Sequence, residues 1–203
     1  MTPALELCSL SIALFIAFFF LGTFVSTRPL TRIDIDGRKV RGAFPALALL
    51  FTRSGRGMPL LAIGILVTLG FYLLKKPLWV PLGISASQLL SQGFAELLKR
   101  RFLRARPDDW LARHERGFSY PSGHAVTAVV FFGGWLLALA DVPMPPGLRI
   151  VAGAALAAWM IGIGWSRMAL GAHYLTDVLG GSLFGSAWMC AILAMLLRLR
   201  AIA

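Results

Sequence analysis

The stretch GAHYLTDVLGGSLFGSAWMCAILAMLL, residues 171–197, sets a polar shoulder carrying His173 and Asp177 against twenty residues, 178–197, that contain no Asp, Glu, Lys or Arg. A helix of that length rises about 30 Å, the thickness of a bilayer's hydrocarbon layer. The run therefore predicts a membrane-crossing helix whose N-terminal end holds ionisable groups at one surface. Five further charge-free runs stand at 7–27, 57–74, 77–95, 117–140 and 150–166, each long enough to cross hydrocarbon as a helix. Composition agrees, since 58% of the 203 residues are hydrophobic and 14% charged, where soluble domains run near 45–50% and about 25%. Six spans consume about 120 residues and leave only loops, which excludes a separate soluble catalytic domain. The expected architecture is all-α and polytopic: six transmembrane helices forming a single membrane-embedded domain over residues 1–203, with the active site at one membrane face.

The chain carries 20 Lys and Arg against nine acids, a formal net charge of +11. That surplus must sit in the connections, where it suits phosphate groups, anionic headgroups or the setting of topology. Without a soluble basic domain, nucleic acid is not an expected partner. Cys8 and Cys190 lie in apolar runs at opposite ends of the chain and read as packing residues, so neither a disulfide framework nor a cysteine metal site is expected. The first run lacks both a basic leader and a small-x-small cleavage site, and is read as an uncleaved span. Residues 43–52, AFPALALLFT, are apolar but too few to cross, and predict an interfacial helix. Gly181 and Gly185 form a GxxxG, which indicates close helix packing. Gln88, Gln92 and Glu96 recur at helical spacing and predict hydrogen bonds between helices, with Glu96 lining an access cleft.

With six spans, the first, third and fifth connections share one side of the membrane. Lys99 and Arg106 lie in the third; Pro121, Ser122, Gly123 and His124 open the fourth span; Ser166, Arg167, His173 and Asp177 bridge the fifth and sixth. Two histidines, three cations and a carboxylate at one surface suit phosphoryl transfer, in which charge spreads over oxygens that Arg and Lys can hold. Pro121-Ser122-Gly123 reads as a helix start whose hydroxyl and free amides can face an anion. His173 and Asp177, at i and i+4, share a helical face, so the carboxylate can fix the imidazole tautomer and leave the other nitrogen to attack phosphorus. His124 supplies the second role, protonating the leaving oxygen and then activating water. This division of labour needs no metal and no cofactor. His114 reads as an ordinary loop residue, Arg100, Arg101 and Arg104 as juxtamembrane anchors, and Ser166 as a supporting residue.

Lys99-xxxxxx-Arg106-Pro107, Pro121-Ser122-Gly123-His124 and Ser166-Arg167-xxxxx-His173-xxx-Asp177 resemble, in order, residue identity and spacing, the three signature motifs of the type 2 phosphatidic acid phosphatase superfamily. The resemblance covers residues 99–177. It implies a six-helix membrane core and metal-independent dephosphorylation of a lipid phosphate through a phosphohistidine. By position, His173 resembles the nucleophile, Asp177 its orienting carboxylate and His124 the general acid, while Lys99, Arg106, Ser122, Gly123 and Arg167 resemble the phosphate-binding set. Vanadium haloperoxidases share the motifs, but those compared are soluble, and six apolar spans favour a lipid substrate. A transporter or scaffold leaves the histidines and cations unexplained. The first, third and fifth connections carry fifteen basic residues against five elsewhere, which by the positive-inside rule puts the site in the cytoplasm. Bacterial relatives implied by the resemblance face the periplasm from the inner membrane, and that orientation is preferred because Lys99, Arg106 and Arg167 have a phosphate to bind. Phosphatidate, phosphatidylglycerophosphate, polyprenyl diphosphate and lipid A phosphates all present a terminal phosphate, so the lipid stays open, as does the oligomeric state.

Overall fold

The computed structural model describes residues 2–108, 111 and 115–202, and the side chains within them as far as residue 199. Eight α-helices occupy them: α1 Pro3–Ser26, α2 Arg32–Gly37, α3 Pro45–Ser54, α4 Gly57–Leu73, α5 Trp79–Phe102, α6 Gly123–Ala138, α7 Pro146–Ala169 and α8 Leu175–Ile202. Local chemistry sets their ends. Pro3, Pro45 and Pro146 stand in first turns, where the missing N–H costs nothing. Thr31 and Ser122 cap α2 and α6, and their hydroxyls accept from the amides of Asp34 and Ala125. Leu103, at φ 52°, closes α5 in the left-handed region.

Each of the six charge-free runs coincides with a helix. Four are long and apolar enough to cross a membrane: α1, α6 with the turn that follows it (Gly123–Asp141), α7 and α8. A fifth candidate arises if α3 and α4, bent by 59° at their junction, count as one span. The third run differs for a physical reason: α5 buries Ser87, Gln88, Ser91 and Lys99 among its neighbours, so polarity that would be costly in lipid is turned inward. Gln88 does not bond to another helix as expected; its amide donates to Gln92 on the same helix at 3.1 Å. The short apolar stretch forms α3, as expected, and packs on α7 through buried Ala48 against Ala169 and Leu170.

Glycines bring α8 onto α6. A Cβ on Gly181 would lie 2.5 Å from the Ser122 carbonyl oxygen, and one on Gly185 2.9 Å from Val129 Cβ, so the GxxxG marks a backbone contact. Phe18, Phe102, Tyr120 and Phe184 fill the space between α1, α5 and α8, and Tyr120 donates its hydroxyl to the Phe18 carbonyl at 2.6 Å. That aromatic plug locks the loop leading into α6, and with it the residues that open the site.

Candidate active site

Four segments converge at one end of the bundle: the C-terminus of α5, the loop into α6, the C-terminus of α7, and the turn joining α7 to α8. They enclose a cavity of about 140 Å³ lined by Lys99, Glu96, Glu115, Gly123, His124, Thr127 and His173, with Arg56, Gly57 and Gln92 on its wall. The chain bends back after α7, with the amides of Ala172 and His173 donating to the Arg167 carbonyl at 2.8 and 3.2 Å. Gly171, at φ 70°, takes the left-handed conformation this turn needs.

His173 is buried, 4% exposed. Its Nε2 lies 3.1 Å from Arg106 Nη1. A guanidinium can only donate, so Nε2 carries the lone pair and the ring proton sits on Nδ1. Nδ1 faces Asp177 Oδ2 at 3.5 Å, too long for a hydrogen bond, and it has no other partner. The expected pair is therefore brought together but not closed. Burial, then the charges of Arg106, Arg167 and Lys99, hold His173 well below the ordinary imidazole pKa, so the ring is neutral near pH 7.

Asp177 is held on both oxygens. Oδ2 accepts from the Tyr174 amide at 2.9 Å, and Oδ1 from Arg104 at 2.5 Å and Ser119 at 3.3 Å. Arg104 is thus not the exposed anchor that its neighbours Arg100 and Arg101 are. It is 5% exposed, and its other nitrogen donates to Asp34 on α2 at 2.8 Å. Asp34 also accepts from the amide and hydroxyl of Thr176, at 3.0 and 2.7 Å. Burial acts to raise the Asp34 pKa, but the Thr176 donors and Arg104 more than offset it and leave the carboxylate below its ordinary value.

Of the remaining expected residues, Lys99, Gly123 and His124 line the cavity, Arg106 and Arg167 meet its lining through Glu115, and Ser122 is buried beside Gly123 with its amide already committed. Lys99 pairs with Glu96 at 2.6 Å. Arg167, fully buried, donates to Glu115 at 2.5 Å and to Thr52 at 3.3 Å. Arg106 lies 3.4 Å from the other Glu115 oxygen. The Ser122 amide, expected to be free for an anion, donates to the Asp177 carbonyl at 3.0 Å because the glycines of α8 bring the two backbones together. Gly123 reaches the cavity. Nε2 of His124 is buried within it without a partner. Ser166 bridges Thr52 and the Ile163 carbonyl, each at 2.7 Å, and supports the packing of α3 on α7. His114 lies outside the described residues.

Sequence reasoning missed Asp34, Arg104 and Glu115. Glu115, on the cavity lining, links Arg106 and Arg167; burial opposes its charge, but Arg167, His173 and Arg106 hold its pKa below the ordinary value. Its signal was available, as an acid in a basic loop nine residues before His124. Among the described residues, no three His, Cys, Asp or Glu side chains are grouped to hold a metal ion.

Residues 80–201 match the family model described as PAP2 superfamily. Over 126 residues, 57% of this chain and 47% of the relative, the sequence is 32% identical to a lipid A 1-phosphatase of Rhizobium johnstonii. Over 144 residues, 66% of each chain, it is 33% identical to phosphatidylglycerophosphatase B of Bacillus subtilis. The chain spans about half the length of the lipid A 1-phosphatases it matches. The fold resembles the crystal structure of the first transmembrane PAP2 type phosphatidylglycerolphosphate phosphatase from Bacillus subtilis, with a TM-score of 0.76 over 94% of this chain and 96% of that one, at 23% identity.

Proposed function

The chain belongs to the PAP2 superfamily, and from that premise we propose that it is a six-span membrane lipid phosphatase. It removes the terminal phosphate of a lipid phosphate or diphosphate through a phosphohistidine, without a metal. The observation that carries this reading is the meeting of His173, His124 and Lys99 on one cavity, with Arg106 on His173 and Arg167 joined to it through Glu115.

Substrate phosphate enters among Lys99, Arg106, Arg167 and the Gly123 amide, and draws Arg106 off the His173 lone pair. Nε2 then attacks phosphorus in line, forming the N–P bond while the P–O bond to the lipid breaks. His124 gives its proton to the leaving oxygen. Asp177 moves the short distance needed to accept from Nδ1–H and offsets the charge the ring acquires. Water, deprotonated by His124, next breaks the N–P bond and releases inorganic phosphate. Ser122 acts by capping α6 and aiming its first turn. In this reading the site faces the periplasm of a bacterial inner membrane, the side implied by the family resemblance; committing Lys99, Arg104, Arg106 and Arg167 to the site lowers the basic count of its connections from fifteen to eleven, against five on the opposite side.

The test is phosphate release by purified protein in detergent micelles against phosphatidate, phosphatidylglycerophosphate, a polyprenyl diphosphate and lipid A. Turnover of at least one is expected, and no turnover of any overturns the reading. Activity persists in EDTA, because cationic side chains already offset the phosphate charge; loss restored by Mg²⁺ contradicts this.

His124→Ala separates the two steps. It slows phosphohistidine formation by about 10²–10⁴-fold for a lipid alcohol and by much less for p-nitrophenyl phosphate, whose leaving group needs little acid. Radiolabel from the latter accumulates as acid-labile, base-stable phosphate on the protein. Equal loss with both esters would confine His124 to binding.

A further inference from the structure

The cavity extends past the residues that handle the scissile phosphate. Its wall beyond His124 and Thr127 is made by Gly55, Arg56 and Gly57 at the α3–α4 junction and by Gln92 on α5. The 59° bend between α3 and α4 brings Arg56 to this wall, and two bonds fix the junction. Thr127, one turn after His124, donates to the Gly55 carbonyl at 3.2 Å, and Thr52 meets the Ser166 hydroxyl at 2.7 Å. A Cβ on Gly57 would lie 3.0 Å from the Gln92 side-chain oxygen, so α4 and α5 are in close contact here.

Charge bookkeeping around the site isolates one group. Lys99 is paired with Glu96, Arg106 and Arg167 with Glu115, and Arg104 with Asp34 and Asp177. Among the described residues the Arg56 side chain has no ion pair or hydrogen bond. Arg56 is exposed and lines the same cavity as Glu96 and Glu115, whose carboxylates are each already bound to a cation.

Direction follows from the chemistry. In-line attack by His173 expels the leaving group on the far side of phosphorus, where His124 must sit to protonate it. The atoms next to the leaving oxygen therefore lie on the His124 side of the cavity, where Thr127, one turn on, holds the Gly55 carbonyl next to Arg56. We propose that Arg56 is a second anion subsite, reading a second phosphoryl group on the leaving side, so that the preferred substrates are lipids with two phosphoryl groups in series. This deepens the lipid phosphatase reading and rests on it. With a diphosphate, His173 bonds to the terminal phosphorus, the bridging P–O bond breaks, and the lipid monophosphate leaves against Arg56, which offsets the charge it takes away. A phosphomonoester joined through glycerol to a phosphodiester presents the same anion a few bonds further on.

The test compares kcat/KM of wild type and Arg56→Ala within matched pairs: farnesyl diphosphate against farnesyl phosphate, and phosphatidylglycerophosphate against phosphatidate. A ratio taken on one preparation cancels the fraction of protein that is folded. The two-anion to one-anion ratio is expected to fall by about 10–100-fold, the loss of one charge-assisted contact, and Arg56→Lys should recover part of it. A fall in the farnesyl pair alone places the second phosphoryl next to the first, and a fall in the glycerolipid pair alone places it across the glycerol. Ratios unchanged in both pairs overturn the subsite while leaving the phosphatase reading intact. Wild-type protein that hydrolyses none of the four lipids, and not lipid A either, overturns that reading instead.

Discussion

Replacing His173 with alanine is expected to reduce phosphate release by at least about 10⁴-fold, the order seen when a covalent nucleophile is removed from a preassembled site. The cations and His124 survive in this variant, so substrate still binds, but nothing forms a bond to phosphorus. The ring occupies a small volume among polar groups at the end of the bundle, so the variant should fold and extract from membranes as wild type does. Two readouts check the assignment: steady-state release, and acid-labile label after brief mixing with a radiolabelled substrate, which the variant must fail to acquire. Turnover near wild type, or label retained at the same chemical stability, would place the nucleophile elsewhere.

Arg104→Ala is expected to be nearly as damaging, for a different reason. It strands two buried carboxylates, Asp34 and Asp177, that share this guanidinium at 2.8 and 2.5 Å. Breaking a buried ion pair from one side costs about 3–5 kcal/mol, which for a chain of this length lowers the melting temperature by roughly 6–20 °C. Turnover per folded molecule should fall as well, because Asp177 loses the donor that sets one of its oxygens. Arg104→Lys restores charge but not the fork that reaches Thr176, Asp177 and Asp34 together, so it should recover stability only in part. A melting temperature and turnover equal to wild type for Arg104→Ala would show that the network carries no load.

What could be read from the sequence is local in chain distance. His173 and Asp177 are four residues apart, and Ser122-Gly123-His124 is contiguous, so spacing alone brings them to a common end. Charge-free runs likewise locate helices, because desolvating a charge in lipid is costly whatever surrounds it. The same logic does not say what covers each helix: at α5, Ser87, Gln88 and Ser91 are uncharged yet polar enough to need protein neighbours. Arg104 was illegible for the opposite reason. Arg100, Arg101 and Arg104 are chemically identical, and only the arrival of Asp34, 70 residues earlier in the chain, separates the buried one from the exposed pair. The Ser122 amide is a similar case: its fate depends on how closely the glycines of α8 let two backbones approach.

The bond between α2 and the turn that opens α8 bears on how this chain can be divided. Residues 99–177 hold every signature motif, and residues 80–201 are the part that matches the family model. A fragment limited to either range would still lack Asp34, which clasps Thr176 and the arginine on Asp177, and also Thr52, Gly55 and the aromatic wedge of Phe18. Recognisable ancestry and working machinery therefore have different borders in this molecule. Grafting the motif-bearing half onto a foreign N-terminal half transfers the chemistry only if the graft also supplies an acid at that height.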